Sequence, residues 1–299
     1  MKGALLFWIG ISAVGFSEEF PTRQALTDSA FWSKPEFLQI WQPREAVTRI
    51  SHRHWPKPSA VFGRKPHAIT AKFEGAKIES ITLLFLDSGT HFGYVANENA
   101  QRTREEHQEA FRRQVQETAR DVEAGLILLA KSANADVGLL GENRLLKQRV
   151  KLFEMGNLTA RFHHIDEQLV KLTVFPNLRA AQTWFSEARM KADKEAWKSS
   201  IRARIQILEN GDRVLTEIPM FPQGDRAYCG VSSLAMAAQY LGLAMETEDL
   251  AAAAGIRYGS TKGARIREVY QAAFSTGSVT VLMGVSKGSP KGIAVNSKV

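Results

Sequence analysis

The sequence predicts an α+β protein, and three observations carry that reading. Between 67 and 94, apolar residues recur at every second position, the period of a half-buried strand. From 103 to 129 they recur at helical spacing, and three short strand-like runs follow. Beyond 201 the pattern is mostly helical, opened by one Asn-Gly hairpin signal at Asn210-Gly211. The expected architecture is an N-terminal sheet with one long helix, then a helical C-terminal piece.

Met1-Lys2, an apolar run from Gly3 to Phe16 and polar Ser17-Glu18-Glu19 have the layout of a secretory signal. Gly15 and Ser17 suit the positions before a cut, so 1–17 reads as a signal peptide and the protein as exported, to periplasm, envelope or medium. The run is shorter than the about 20 apolar residues a membrane span needs.

An α+β domain is expected over 18–178. Its first part, 20–65, is irregular, with Trp32, Phe37, Trp41 and Trp55 as anchors packed on the domain. Ile69, Ala71 and Phe73 alternate, Glu74-Gly75-Ala76 turns, and 78–86 alternates again. Thr103 with Glu106 forms a capping box that starts a helix, whose buried face is Phe111, Val115, Val122, Leu126 and Leu129. Strands at 146–153, 158–163 and 169–175 follow, with Met155-Gly156-Asn157 as one turn. A charged helix at 179–200, carrying Trp184 and Trp197, reads as a connector and domain boundary. The next unit, 201–285, holds a hairpin, a helix after Cys229, helices at 247–254 and 264–274 and a strand at 279–283. The tail, 286–299, is polar and rich in Gly, Ser and Lys, and is expected to be disordered.

The net charge is +8. Basic residues are scattered over 104–120, 144–151, 189–204 and 257–267 without interleaved aromatics, which argues against nucleic-acid binding. A weak attraction to an anionic envelope surface is the partner this charge implies. One cysteine allows no internal disulfide, so the fold is not stapled.

That cysteine lies in the run Ile218-Pro219-Met220-Phe221-Pro222-Gln223-Gly224-Asp225-Arg226-Ala227-Tyr228-Cys229-Gly230. Val231, Leu234, Ala237, Ala238 and Leu241 then recur at helical spacing, which puts Cys229 at a helix N-terminus, where unpaired N–H groups and the helix dipole favour a thiolate. Gln223 precedes it on a Gly-containing loop, and its amide can turn back to donate to an oxyanion. The expected catalytic pair is Cys229 as nucleophile and Gln223 as oxyanion donor. No histidine follows Cys229, although a thiol nucleophile usually needs one as base.

From 205 to about 281 the chain resembles the bacteriocin-processing, double-glycine-leader peptidases, family thirty-nine of the cysteine peptidases in the papain-like superfamily. The matching pieces are Asn210-Gly211-Asp212, the run to Cys229-Gly230, the helix ending Tyr240-Leu241-Gly242, Glu248-Asp249-Leu250-Ala251 and Gly259-Ser260-Thr261. The resemblance implies a papain-like fold, a peptide or protein substrate, no cofactor or metal, and acyl transfer through Cys229. It also implies a histidine base and an Asp or Asn orienter from a following sheet. The chain stops about where that sheet should begin, so 201–285 reads as the first half of such a domain.

Upstream, His163 and His164 lie at a strand end, with His164 the candidate base; His52 and His54 are placed in a basic loop. The bland alternative makes all four surface histidines, and without a neighbouring cysteine or acidic cluster His52 and His54 are no metal pair. Ser232 and Ser233 satisfy a helical turn or pack. The rival reading of the whole chain is a non-catalytic binding module whose peptidase-like C-terminus is an inert remnant. Oligomeric state is left open by the sequence.

Overall fold

A computed structural model describes residues 19–43, 50–93, 98–132, 136–140, 148–221, 226, 228–256, 266–275, 280–282, 285–286, 289–290 and 294–296. The class is α+β, built on one eight-stranded antiparallel sheet. Strands β1 (Gln42–Pro43), β2 (Ile50–His54), β3 (Ala68–Glu74) and β4 (Lys77–Asp87) meander from one edge to the centre. Helices α1 (Thr22–Thr27) and α2 (Pro35–Leu38) precede them. After α3 (Ser88–Phe92), the long helix α4 (Glu98–Leu129) carries the chain to the far edge. There β5 (Asp136–Leu140), β6 (Gln148–Met155), β7 (Leu158–Ile165) and β8 (Leu169–Phe175) meander back until β8 pairs with β4. The signal expectation at 1–17 lies outside the described residues.

One face of the sheet closes on α4. Alternation supplies Ile69, Ala71 and Phe73 from β3, Leu83 and Phe85 from β4, and Val170, Leu172 and Val174 from β8. Helix α4 answers with Phe111, Val115, Val122 and Leu126, residues spaced to share one helical face. It starts at Glu98, five residues before the expected Thr103, and most residues of the added turn (Glu98, Ala100, Gln101, Arg102) have high intrinsic helix propensity. The four aromatic anchors are buried here, with Trp41 and Trp55 edge-on at 5.2 Å and Phe20 against Trp55 at 5.3 Å. Gly156, at φ +58, seats the β6–β7 turn on α1; a Cβ there would stand 1.9 Å from the Thr27 carbonyl oxygen.

The other face is covered by the C-terminal helices, which corrects the expected boundary at 179–200. Leu152 and Phe175 of the sheet share one apolar cluster with Trp184 and with Val231, Ala235 and Ala238 of α8 (Cys229–Tyr240). Leu250 and Ala251 of α9 (Thr247–Ala253) and Ala272 of α10 (Ile266–Ser275) complete it. The reason is visible in β8, all seven of whose residues are buried: a strand covered on both faces needs a layer on each. The expected connector is three short helices, α5 (Leu178–Ala181), α6 (Glu187–Lys191) and α7 (Lys194–Arg202), each begun by a fresh cap from Asn177, Ser186 and Asp193.

The Asn210-Gly211 hairpin joins β9 (Ile205–Ile207) to β10 (Arg213–Leu215). The tail expected to be disordered instead carries paired residues. Strand β11 (Thr280–Leu282) pairs with β14 (Ala294–Asn296), and β12 (Val285–Ser286) with β13 (Ser289–Pro290). None of these strands joins the large sheet.

Candidate functional site

Cys229 is the first residue of α8 and its thiol is exposed. The residue before it is its anchor. Tyr228 is fully buried, and its hydroxyl donates to Asp87 Oδ1 at 3.2 Å. Asp87 in turn accepts from the backbone N–H and the hydroxyl of Thr90, capping α3. Arg226 stands 5.3 Å from the Tyr228 ring, pairs with Glu248 of α9 and lies 4.0 Å from Asp87. The N-cap Tyr228 offers no side-chain acceptor to the first turn of α8.

A bulge puts Asp87 where Tyr228 can reach it. Strict alternation would send Asp87 to the α4 face with Leu83 and Phe85. The β4–β8 register slips between Leu84 and Leu86, so Asp87 pairs with Leu169 and joins the face of Lys171. Burial, then the nearby Glu248, raises the Asp87 carboxyl above its ordinary range, against Arg226 and the Thr90 donors. Burial likewise holds the Tyr228 phenol well above its usual value, so it stays a donor.

Beneath this clamp the sheet face toward α9 is charged. Lys171 of β8, 3% exposed, reaches Asp249 at 2.7 Å and Glu246 at 2.9 Å. Burial opposes its charge, but Asp249 and Glu246 outweigh that and raise the ammonium above the ordinary lysine range. Asp249 is buried as well, yet Lys171 and the His163 hydrogen bond pull it below the ordinary aspartate range. His163 Nδ1–H donates to Asp249 at 3.4 Å; burial lowers its basicity despite that carboxylate, so the contact is a hydrogen bond to a neutral ring. Glu246 accepts from Thr82 at 3.0 Å and forms a capping box with Asp249 at the start of α9. Arg161 lies over Phe175 and Trp184 and donates to the Thr183 carbonyl at 3.2 Å. The pairs therefore bind the start of α9 to the sheet.

The expected site residues separate. Gln223 lies outside the described residues. His164 is corrected as a candidate base: neighbouring residues on β7 point to opposite faces, and His164 stacks with Phe162 on the α4 face while Cys229 belongs to the other layer. His163 shares the layer of α8 but is held by Asp249. His52 and His54 stand on β2, not in a loop, because the alternating run there pairs with β3. The His52 ring meets Phe221 edge-on at 4.7 Å. None of the described histidine contacts reaches Cys229. Among the described residues no group of three or more His, Cys, Asp and Glu side chains is placed to hold a metal, and no helix is long and apolar enough to cross a membrane. The Lys171–Asp249 pair carried no signal in the sequence, since the partners lie far apart along the chain.

Desolvation, then the charge of Lys72, pushes His52 down to about 3 from an ordinary 6.5. His52 and His163 are thus neutral in the fold, while both protonate in the unfolded chain below about 6.5. Stability from both rings is complete above that value and is lost as pH falls below it, for His52 down to about 3, at up to about 1.4 kcal/mol per unit for a ring. Urea unfolding at pH 7.5 and 5.0 should show this loss, and His52→Gln should reduce its slope by about one proton. An unchanged slope would show that His52 does not titrate on unfolding.

An α+β sheet layered between helices, with a lone thiol at the head of a helix clamped to the sheet, is the class that fold and site define. No family model, curated protein or solved structure matches the chain.

Proposed function

We propose that this chain is a thiol peptidase-like protein of the papain-like type, with Cys229 as nucleophile and Gln223 as oxyanion donor, acting on a peptide or protein after export. The observation that carries the reading is Cys229 itself, exposed at the first turn of α8 and held by a fully buried neighbour, Tyr228. An inert structural thiol is ordinarily buried. Attack by Sγ on a peptide carbonyl would form a tetrahedral oxyanion, and collapse would expel the amine and leave an acyl-enzyme that water then hydrolyses. Those proton transfers need a base, and no histidine follows Cys229 in the sequence. Turnover by this chain is therefore expected to be orders of magnitude below that of a complete site.

Native protein should be alkylated at Cys229 by iodoacetamide near neutral pH, with the label absent in Cys229→Ala. Casein and a double-glycine leader peptide should be cleaved no faster than by that variant. Labelling only after denaturation would sink the nucleophile assignment and favour the rival reading, a binding module. Robust turnover lost in both Cys229→Ala and His163→Gln would show instead that the upstream sheet completes the site.

A further inference from the structure

We infer that β5, an edge strand of the large sheet with no second partner strand among the described residues, pairs antiparallel with β5 of a second copy of this chain. The two edges of the sheet are built differently. At one end β1 has two residues and finishes in Pro43, which cannot donate a ladder hydrogen bond. At the other, β5 runs five residues, Asp-Val-Gly-Leu-Leu, with no proline or lysine to discourage pairing. Val137 is 52% and Leu139 59% exposed, and Leu128 at the end of α4 is 87% exposed.

Register decides the face and the occupant. Leu140 belongs to the apolar cluster under α8, and a Cβ on Gly138 would meet Val150 and Leu152 of that cluster. Val137 and Leu139, paired with Lys151 and Arg149, therefore point to the α4 face. A two-fold axis through Gly138 places Val137 opposite Leu139 of the second copy, and Leu139 opposite its Val137. Two apolar cross-strand pairs form on one face. On the other face Gly138 meets Gly138, which brings no side chain into conflict. The same axis sets each Asp136 opposite Leu140, keeping the two carboxylates at opposite ends of the ladder. The strand is thus self-complementary about its own centre, as a two-fold pairing of two identical copies requires. The joined sheet would run continuously through sixteen strands.

Sedimentation velocity over 1–200 µM should give a reversible dimer for the native chain. Val137→Lys with Leu139→Lys should weaken it at least tenfold while leaving the thermal midpoint within a few degrees, since both positions are exposed. Register is tested in a Cys229→Ala background. Val137→Cys chains and Leu139→Cys chains, mixed and oxidised, should cross-link several-fold faster than either alone. The two-fold sets 137 against 139 at about 5 Å between Cβ atoms but leaves like positions about 7–8 Å apart. A monomer throughout the range, a dimer indifferent to the lysines, or equal cross-linking of like with like would each overturn the inference. Capture of an unrelated extended peptide without self-association would do so too.

Discussion

Lys171→Met should lower the unfolding free energy by about 3–5 kcal/mol at pH 7, the usual cost of removing one partner from a buried ion pair. The lysine is 3% exposed and neutralises Asp249, itself 2% exposed, and Glu246. Without it, Asp249 keeps a neutral imidazole, its own helix cap and the field of Arg161, and two carboxylates face each other across the start of α9. Two further readouts separate this charge role from simple loss of packing. Carboxylates protonate in acid, so the deficit of the variant against the native chain should shrink as pH falls below about 4. Adding Asp249→Asn should recover part of the loss, because the amide can still cap α9 without a charge. A cost under about 1 kcal/mol, or a deficit constant down to pH 3, would show that Lys171 is not the counter-ion that the geometry makes it.

The pair also shows why some of this fold was legible in the sequence and some was not. Strands β3, β4, β6, β7 and β8 announce themselves by period-two apolar patterns and by turns at Gly75 and Gly156, so a local rule finds them. The same rule says nothing of what covers the face that holds Lys171. Polar residues alternate there with apolar ones, and Lys171 meets Asp249 of α9 and Glu246 at its cap. Burial of a charge depends on a partner about eighty positions away, and no pattern within a strand reports that. For that reason the C-terminal helices looked like a separate unit, and the helix at 179–200 looked like a link between domains. The position of Cys229 was legible because helical spacing resumes at Val231 directly after it. Its clamp was not, since it depends on a one-residue slip after Leu84 that turns Asp87 toward Tyr228. The short exposed strand β5 has too few residues to display a period.

Gly89→Ala should disrupt that clamp and unsettle the head of α8. The missing side chain at Gly89 is what lets the Tyr228 ring in: a Cβ there would lie 2.3 Å from Cζ, 2.5 Å from the hydroxyl oxygen and 2.8 Å from Cε2. Real Cβ contacts do not approach so closely, and the ring has little room to yield. It is fully buried, with Arg226 over its face and its hydroxyl on Asp87. The methyl group should therefore cost about 1–3 kcal/mol, the range for overpacking a well-filled site. It acts one residue from the thiol, so the alkylation rate of Cys229 should change with it. A double-mutant cycle distinguishes a direct clash from general damage to α3. Tyr228→Leu alone loses the hydrogen bond to Asp87 and part of the buried ring, but it vacates the space the methyl needs. Gly89→Ala should then cost little more in that background, giving a coupling of at least about 1 kcal/mol between the two positions. Additive costs, with Cys229 labelled at the native rate in both single variants, would mean that Tyr228 does not hold the nucleophile in place.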